Sequence, residues 1–164
     1  MSVLFDFCQW LQVTDVSVSI RESTFLFPII EGTHLLGIGV SAGTIALTDL
    51  RLLSLIMKKD PASKVMGSLL PFTLVGFVVV FITGGLLFWA EPARSYPNPW
   101  FRLKLLLLVL AGVNAAVFHL TIYRSMDKWD NDAVAPTGAR LAGLLSLVIW
   151  ATVIWFGRQF AYSH

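Results

Sequence analysis

Charge is scarce in this sequence and unevenly spread. Only 13% of its 164 residues are Asp, Glu, Lys or Arg, against roughly 25% in an average soluble domain. No charged residue stands between Glu31 and Asp49, Lys64 and Glu91, Lys104 and Arg124, or Arg140 and Arg158. That poverty excludes a soluble enzyme domain. The same pattern excludes a nucleic-acid binder, and the net charge of +2 adds nothing to that. Cysteine is nearly absent too. One residue, Cys8, cannot make an internal disulfide, so a secreted disulfide scaffold is excluded and Cys8 reads as a small buried or interfacial hydrophobe. No basic segment precedes the first apolar run, where Asp6 stands instead, and no Ala-x-Ala site follows it. A cleaved signal peptide is therefore not expected, and the mature chain is expected to begin near Met1.

What is abundant is apolar surface: 56% hydrophobic residues and a mean hydropathy of +0.74. About 20 apolar residues span a bilayer core. The charge-free stretches predict four transmembrane helices, near 24–57, 67–90, 99–124 and 137–160. Short connections make neighbours antiparallel. The expected fold is all-α: a transmembrane four-helix bundle, up-down-up-down, over residues 23–164. Lys58-Lys59-Asp60-Pro61 ends the first helix, with Asp60 predicted as N-cap of the second and Pro61 at its first position. Glu91 to Pro97 reads as a loop, and Asn98-Pro99 as the cap and start of the third helix. No internal repeat is present, which disfavours an inverted-repeat transporter.

Residues 1–22 read as an N-terminal interfacial amphipathic helix and linker. Between Val3 and Val13 the polar residues Asp6, Gln9 and Gln12 recur every third position and make a narrow stripe. Phe5, Phe7, Trp10 and Leu11 cover much of the rest, as in a helix lying in the membrane interface.

Orientation follows from Lys and Arg. Arg51, Lys58, Lys59, Lys64, Arg124, Lys128 and Arg140 fall on one side, and Arg21, Arg94, Arg102, Lys104 and Arg158 on the other. The richer side is expected in the cytoplasm, with both termini outside. Trp89, Tyr96, Trp100, Trp155 and Tyr162 form an aromatic belt on the outer side, and Tyr123 and Trp129 serve the inner one. Small residues on the first helix, above all Gly39-x-x-x-Gly43, predict close helix contact there.

Ionisable and strongly polar groups within spans are candidate functional residues. Four stand out: Glu31, His34, Asn114 and His119. Glu31 and His34 are three apart and share a helix face. There a carboxylate can hold one imidazole nitrogen and leave the other for a metal or haem iron. The same pair can also serve only to hold the bundle together. A di-iron bundle needs a second Glu-x-x-His unit, which this chain lacks. His34 lies roughly 10 Å inside one membrane edge and His119 roughly 8 Å inside the other. They then differ by roughly 12 Å in depth across a core of about 30 Å, which speaks against one haem clamped by both. Separate metal or cofactor sites at His34 and His119 stay open. Asn114 is expected to hydrogen-bond across the bundle, and Asp49 with Arg51 to form an ion pair or interface anchor.

Several of these residues carry a resemblance. Glu31-Gly32-Thr33-His34-Leu35-Leu36-Gly37, Asp49-Leu50-Arg51-Leu52-Leu53, Thr83-Gly84, Phe101 with Lys104, Asn114 with Phe118-His119, and Gly157-Arg158 with Tyr162 together resemble a family of small bacterial four-helix membrane proteins of unknown function. The chain is also loosely similar to copper-resistance D and cytochrome b561-like membrane domains, which place histidines in a four-helix core. That similarity implies haem or copper handling, although the full set of paired, level histidines is missing. The expected function is a redox component of a bacterial cytoplasmic membrane that binds haem b or a quinone near Glu31 and His34. A cofactor-free accessory subunit of a larger complex and a small metal transporter are the alternatives. The lipid bilayer is the expected partner, beside a membrane or outer-side protein or a second copy, and no nucleic acid.

Overall fold

The computed structural model describes residues 3–163. Among them are helices and turns and no strand: α1 (Val3–Gln12), α2 (Asp15–Glu22), α3 (Leu26–Leu52), α4 (Ala62–Ala90), α5 (Pro92–Ser95), α6 (Pro99–Leu120), a 3-10 turn (Tyr123–Lys128) and α7 (Thr137–Tyr162). Helices α3, α4, α6 and α7 are each long and apolar enough to cross a membrane. They form the expected four-helix bundle, with α3 packed on α4 and α7, and α7 on α6. The seam between α4 and α6 is loose and is bridged by the stacked rings of Phe88 and Phe101, 5.5 Å apart.

At one end of the bundle, here the α5 end, the segments before, between and after the spans are laced together. Asn98 caps α6 as its sequence suggests: Oδ1 accepts from the N–H groups of Trp100 (2.9 Å) and Phe101 (3.4 Å). Its Nδ2 donates to Ser163 Oγ, and Arg94 donates to the Ser163 carbonyl. The segment from Glu91 to Pro97 is not all loop, because Pro92 starts the short helix α5. Likewise the segment before the first span holds two helices, with Asp15–Glu22 helical where a linker was expected.

The opposite, loop end departs further from expectation. Helix α3 stops at Leu52, five residues early. Ser54 takes the left-handed conformation (φ 59°), its N–H bonds the Arg51 carbonyl, and the Leu55 N–H reaches back to Leu50. This is a Schellman stop with serine in the position glycine usually holds. The Ser54 Oγ in turn accepts a 2.8 Å bond from the buried N–H of Ala135. Helix α4 starts at Ala62 and Asp60 does not cap it. The cap comes from Asp130, whose carboxylate accepts from Ser63 N (2.7 Å) and Ser63 Oγ (2.6 Å) while its carbonyl accepts from Ala62 N. Two hydrogen bonds from Ser63, helped by the charge of Arg51, hold the Asp130 carboxyl below the usual carboxylate range.

Asp49 and Arg51 do not pair. Arg51 is fully buried and donates Nε and Nη2 to the Asp60 carbonyl and Nη2 to the Asp132 carbonyl. Asp49 is buried against α7, where its carbonyl faces Gly143. Trp129 is buried with Leu52, Ala62 and Phe118 instead of facing the membrane edge.

Close helix contact exists, but not at Gly39 and Gly43, which face open space. It lies on the neighbouring face of α3. A Cβ on Gly76 would come within 2.8 Å of the Ser41 backbone nitrogen, and one on Gly37 within 3.0 Å of Val79 and Val80. The hydroxyls along this seam bond inward: Ser41 to the Gly37 carbonyl, and Thr44 with Thr73 at 2.8 Å.

Candidate functional site

The four residues singled out above go to different places. His34 turns inward from α3 onto α4, where its ring lies over Gly84 and its Nδ1 is 2.9 Å from Thr83 Oγ1. Glu31, one turn away, is exposed and forms no bond with His34. The partner of the imidazole is therefore a hydroxyl on the next helix, not the carboxylate three residues back. Thr83 also donates to the Val79 carbonyl at 2.6 Å. Its single hydrogen is thus committed, and Oγ1 must accept from His34 Nδ1–H. In the neutral ring Nε2 then carries the lone pair.

Asn114 donates its Nδ2 to the Ala142 carbonyl on α7 at 3.0 Å, the cross-bundle bond expected of it. His119 is exposed near the other end, its ring against Phe118 and Tyr123. The structure does not bring His34 and His119 together. Among the described residues, no group of three or more His, Cys, Asp or Glu is placed to hold a metal ion.

A residue that the charge count treated as a flank is half-buried. Lys104, five positions past the start of α6, reaches the neighbouring helix α7, where its ammonium lies beside Gly157. A Cβ on Gly157 would stand 3.6 Å from Lys104 Nζ. His34 is eight residues into α3 and Lys104 five into α6, so at 1.5 Å per residue the two stand at similar depths from the α5 end. No ion pair or hydrogen bond satisfies Nζ among the described residues. Two basic side chains from α3 and α6 therefore share one layer, each lying over a glycine of the adjoining helix. No carboxylate neutralises them.

Rings close this layer above and below. Toward the α5 end, Phe101 stacks on Phe88 and leans on Phe160. Toward the loop end, Phe77 meets Trp150 at 5.5 Å. Phe77 and Phe88 are eleven positions apart on α4, so the two aromatic tiers lie about 16 Å apart with Thr83 and Gly84 between them. Sequence reasoning missed Lys104 because helix starts conventionally carry snorkelling charges. The clue was its place one turn after Phe101, beyond the Asn98-Pro99 start. A separate shallow groove of about 250 Å³ opens on the α3–α4 seam between Leu36, Gly37, Gly76 and Val79, and His34 is not part of it.

Comparison with known proteins gives one match. The model of a family of unknown function (DUF6644) covers residues 23–163, from just before α3 to the end of α7. Neither the curated proteins nor the solved structures gave a match.

Proposed function

This chain belongs to the DUF6644 family of unknown function, and we propose that it is a multi-pass redox component of a bacterial cytoplasmic membrane that binds a quinone in the His34–Lys104 layer. The observation that carries this reading is Lys104 Nζ, the ammonium of a half-buried side chain beside Gly157 that has no ion pair or hydrogen bond among the described residues. A buried charge is costly unless something pairs with it. A quinone offers carbonyl oxygens that accept from an ammonium, a flat ring suited to the aromatic tiers, and a tail soluble in lipid.

The chain supplies two complementary groups. Lys104 donates to an acceptor oxygen. His34, held by Thr83, offers Nε2 to accept a proton from a hydroxyl. A bound quinone would supply two-electron, two-proton chemistry. His34 would hold one of those protons at Nε2, and Lys104 would favour negative charge on the oxygen it touches. The loose α4–α6 seam supports entry from the lipid side. Among the described residues no second histidine faces His34, so they do not supply a pair of imidazoles for a haem. For orientation, we propose the loop end in the cytoplasm. Burial of Arg51 takes one cation from the richer side of the charge count and leaves its sign unchanged.

The test is extraction and titration. Protein purified in mild detergent is extracted for quinone, and a short-tailed quinone is titrated against tryptophan fluorescence. Lys104→Met and His34→Gln should each weaken binding about tenfold or more, with melting retained. Glu31→Gln should leave binding unchanged. Absence of quinone from the extract together with a flat titration would sink the proposal. A Soret band in the purified protein would favour haem instead.

A further inference from the structure

Helix α1 is docked in a way that a helix in water would not be. An amphipathic helix in a soluble protein turns its apolar face inward and its polar face to solvent. The segment α1–α2 is fastened through polar groups. Gln12 Oε1 accepts from the Ala93 N–H. Ser17 Oγ and Arg21 both donate to the Ala90 carbonyl at the end of α4. Cys8 is the one fully covered side chain of α1.

The remaining circumference divides into two sectors. At 100° per residue, Trp10, Val3, Phe7 and Leu4 follow one another around one side, and all are exposed, Trp10 by 60% and Val3 by 84%. Asp6 and Gln9 occupy the adjoining sector and are exposed as well. The rings of Phe7 and Trp10 pack on each other at 5.6 Å. The helix thus has a bundle side, an apolar side and a polar side. That is the division required of a helix lying at a bilayer surface beside a protein: one side each for protein, acyl chains and headgroups.

The position of α1 identifies what covers the apolar side. Contacts with α5 and with the end of α4 place it at the mouth of the spans. Phe25, Leu26 and Ile29, at the start of α3, are exposed apolar residues at the same end. We infer that the Val3–Leu4–Phe7–Trp10 face of α1 is seated in the lipid leaflet at the α5 end, with Asp6 and Gln9 toward the headgroups. The α1–α2 segment is then a lipid-seated clip: Gln12 of α1 holds the Ala93 N–H, and Ser17 and Arg21 of α2 grip the last carbonyl of α4.

Depth-dependent quenching tests this in the whole protein, reconstituted into phosphatidylcholine vesicles. The emission of Trp10 is isolated as the difference between wild type and Trp10→Phe. Lipids brominated near the carbonyl end of the acyl chain should quench most of this difference, and aqueous iodide almost none. Quenching by iodide without quenching by bromolipid would overturn the inference. Protection from both would overturn it as well, since a protein would then cover the face. In the Trp10→Phe background, Phe7→Trp should restore emission that bromolipid quenches. If the new tryptophan answers only to iodide, the sector is assigned wrongly.

Discussion

Arg51 Nη2 donates to the carbonyl oxygen of Asp132, 81 positions later in the chain, at 3.2 Å. The same guanidinium holds the Asp60 carbonyl through Nε and Nη2. One side chain thus joins the α3–α4 and α6–α7 connections. Its fork is what allows this, since a guanidinium presents several donors in fixed directions and an ammonium does not.

Replacement of Arg51 should therefore be severe even when charge is kept. Hydrogen bonds from charged donors are worth about 1.5–3 kcal/mol each. Arg51→Lys should lose at least one of them and lower stability by about 2 kcal/mol, and Arg51→Met by more. Thermal unfolding in detergent, followed by tryptophan emission, measures both. A lysine variant that melts with wild type would show that the fork is not needed.

Asp130 makes the loop end sensitive to acid. Its carboxyl is held low in the folded state by Ser63, so it stabilises the fold above the ordinary carboxylate range, near pH 4. That stabilisation is lost as pH falls through the lower, folded value. A melting series from neutral pH downward should show a falling acid limb in wild type and a flatter one in Asp130→Asn. Equal acid limbs would remove Asp130 from the account.

Ser54 sets two effects against each other. Ser54→Gly relieves a left-handed serine, a gain of about 1 kcal/mol. It also strips the buried Ala135 N–H of its acceptor, at a cost of about 1–3 kcal/mol. The glycine variant should be slightly destabilised. Ser54→Ala loses the bond and keeps the strain, so it should melt lower still. A glycine variant more stable than wild type would mean that the Ala135 N–H finds another partner.

The two glycine pairs of the α3–α4 hairpin separate close packing from open surface. Gly76→Ala places a methyl 2.8 Å from the Ser41 nitrogen and should cost about 1–3 kcal/mol as the helices part. A Cβ on Gly43 meets nothing within 4 Å, so Gly43→Leu should melt near wild type. The reverse order in a thermal assay would mean that the open face of α3 is covered in the membrane.

Local signals were read well. Asn98 and Pro99 lie next to the helix they start, and the four charge-free runs needed only length and hydropathy. The errors came where distant residues decide. Asp60-Pro61 has the form of a helix start, but Asp130 reaches the exposed amides of α4 first. Gly39 and Gly43 have the spacing of a helix contact, and spacing does not say which face of α3 meets its neighbour. Glu31 and His34 share a face on paper, yet Thr83 lies across the seam where the imidazole points. Lys104 shows the same limit. Its position in the chain marks a flank, and its long stem carries the charge to a glycine on another helix.

The cap supplied by Asp130 also fixes an order of assembly. The residues it serves, Ala62 and Ser63, are synthesised long before it. When α3 and α4 have left the ribosome, the first turn of α4 is still open, the Asp132 carbonyl does not yet exist for Arg51, and Ser54 waits for Ala135. The first hairpin can enter the membrane, but its connection stays unlatched until α6 has crossed and the residues through Ala135 have followed. A chain arrested shortly after α6 should therefore leave the Met57–Lys64 segment open to protease. A few more residues, through Ala135, should close it.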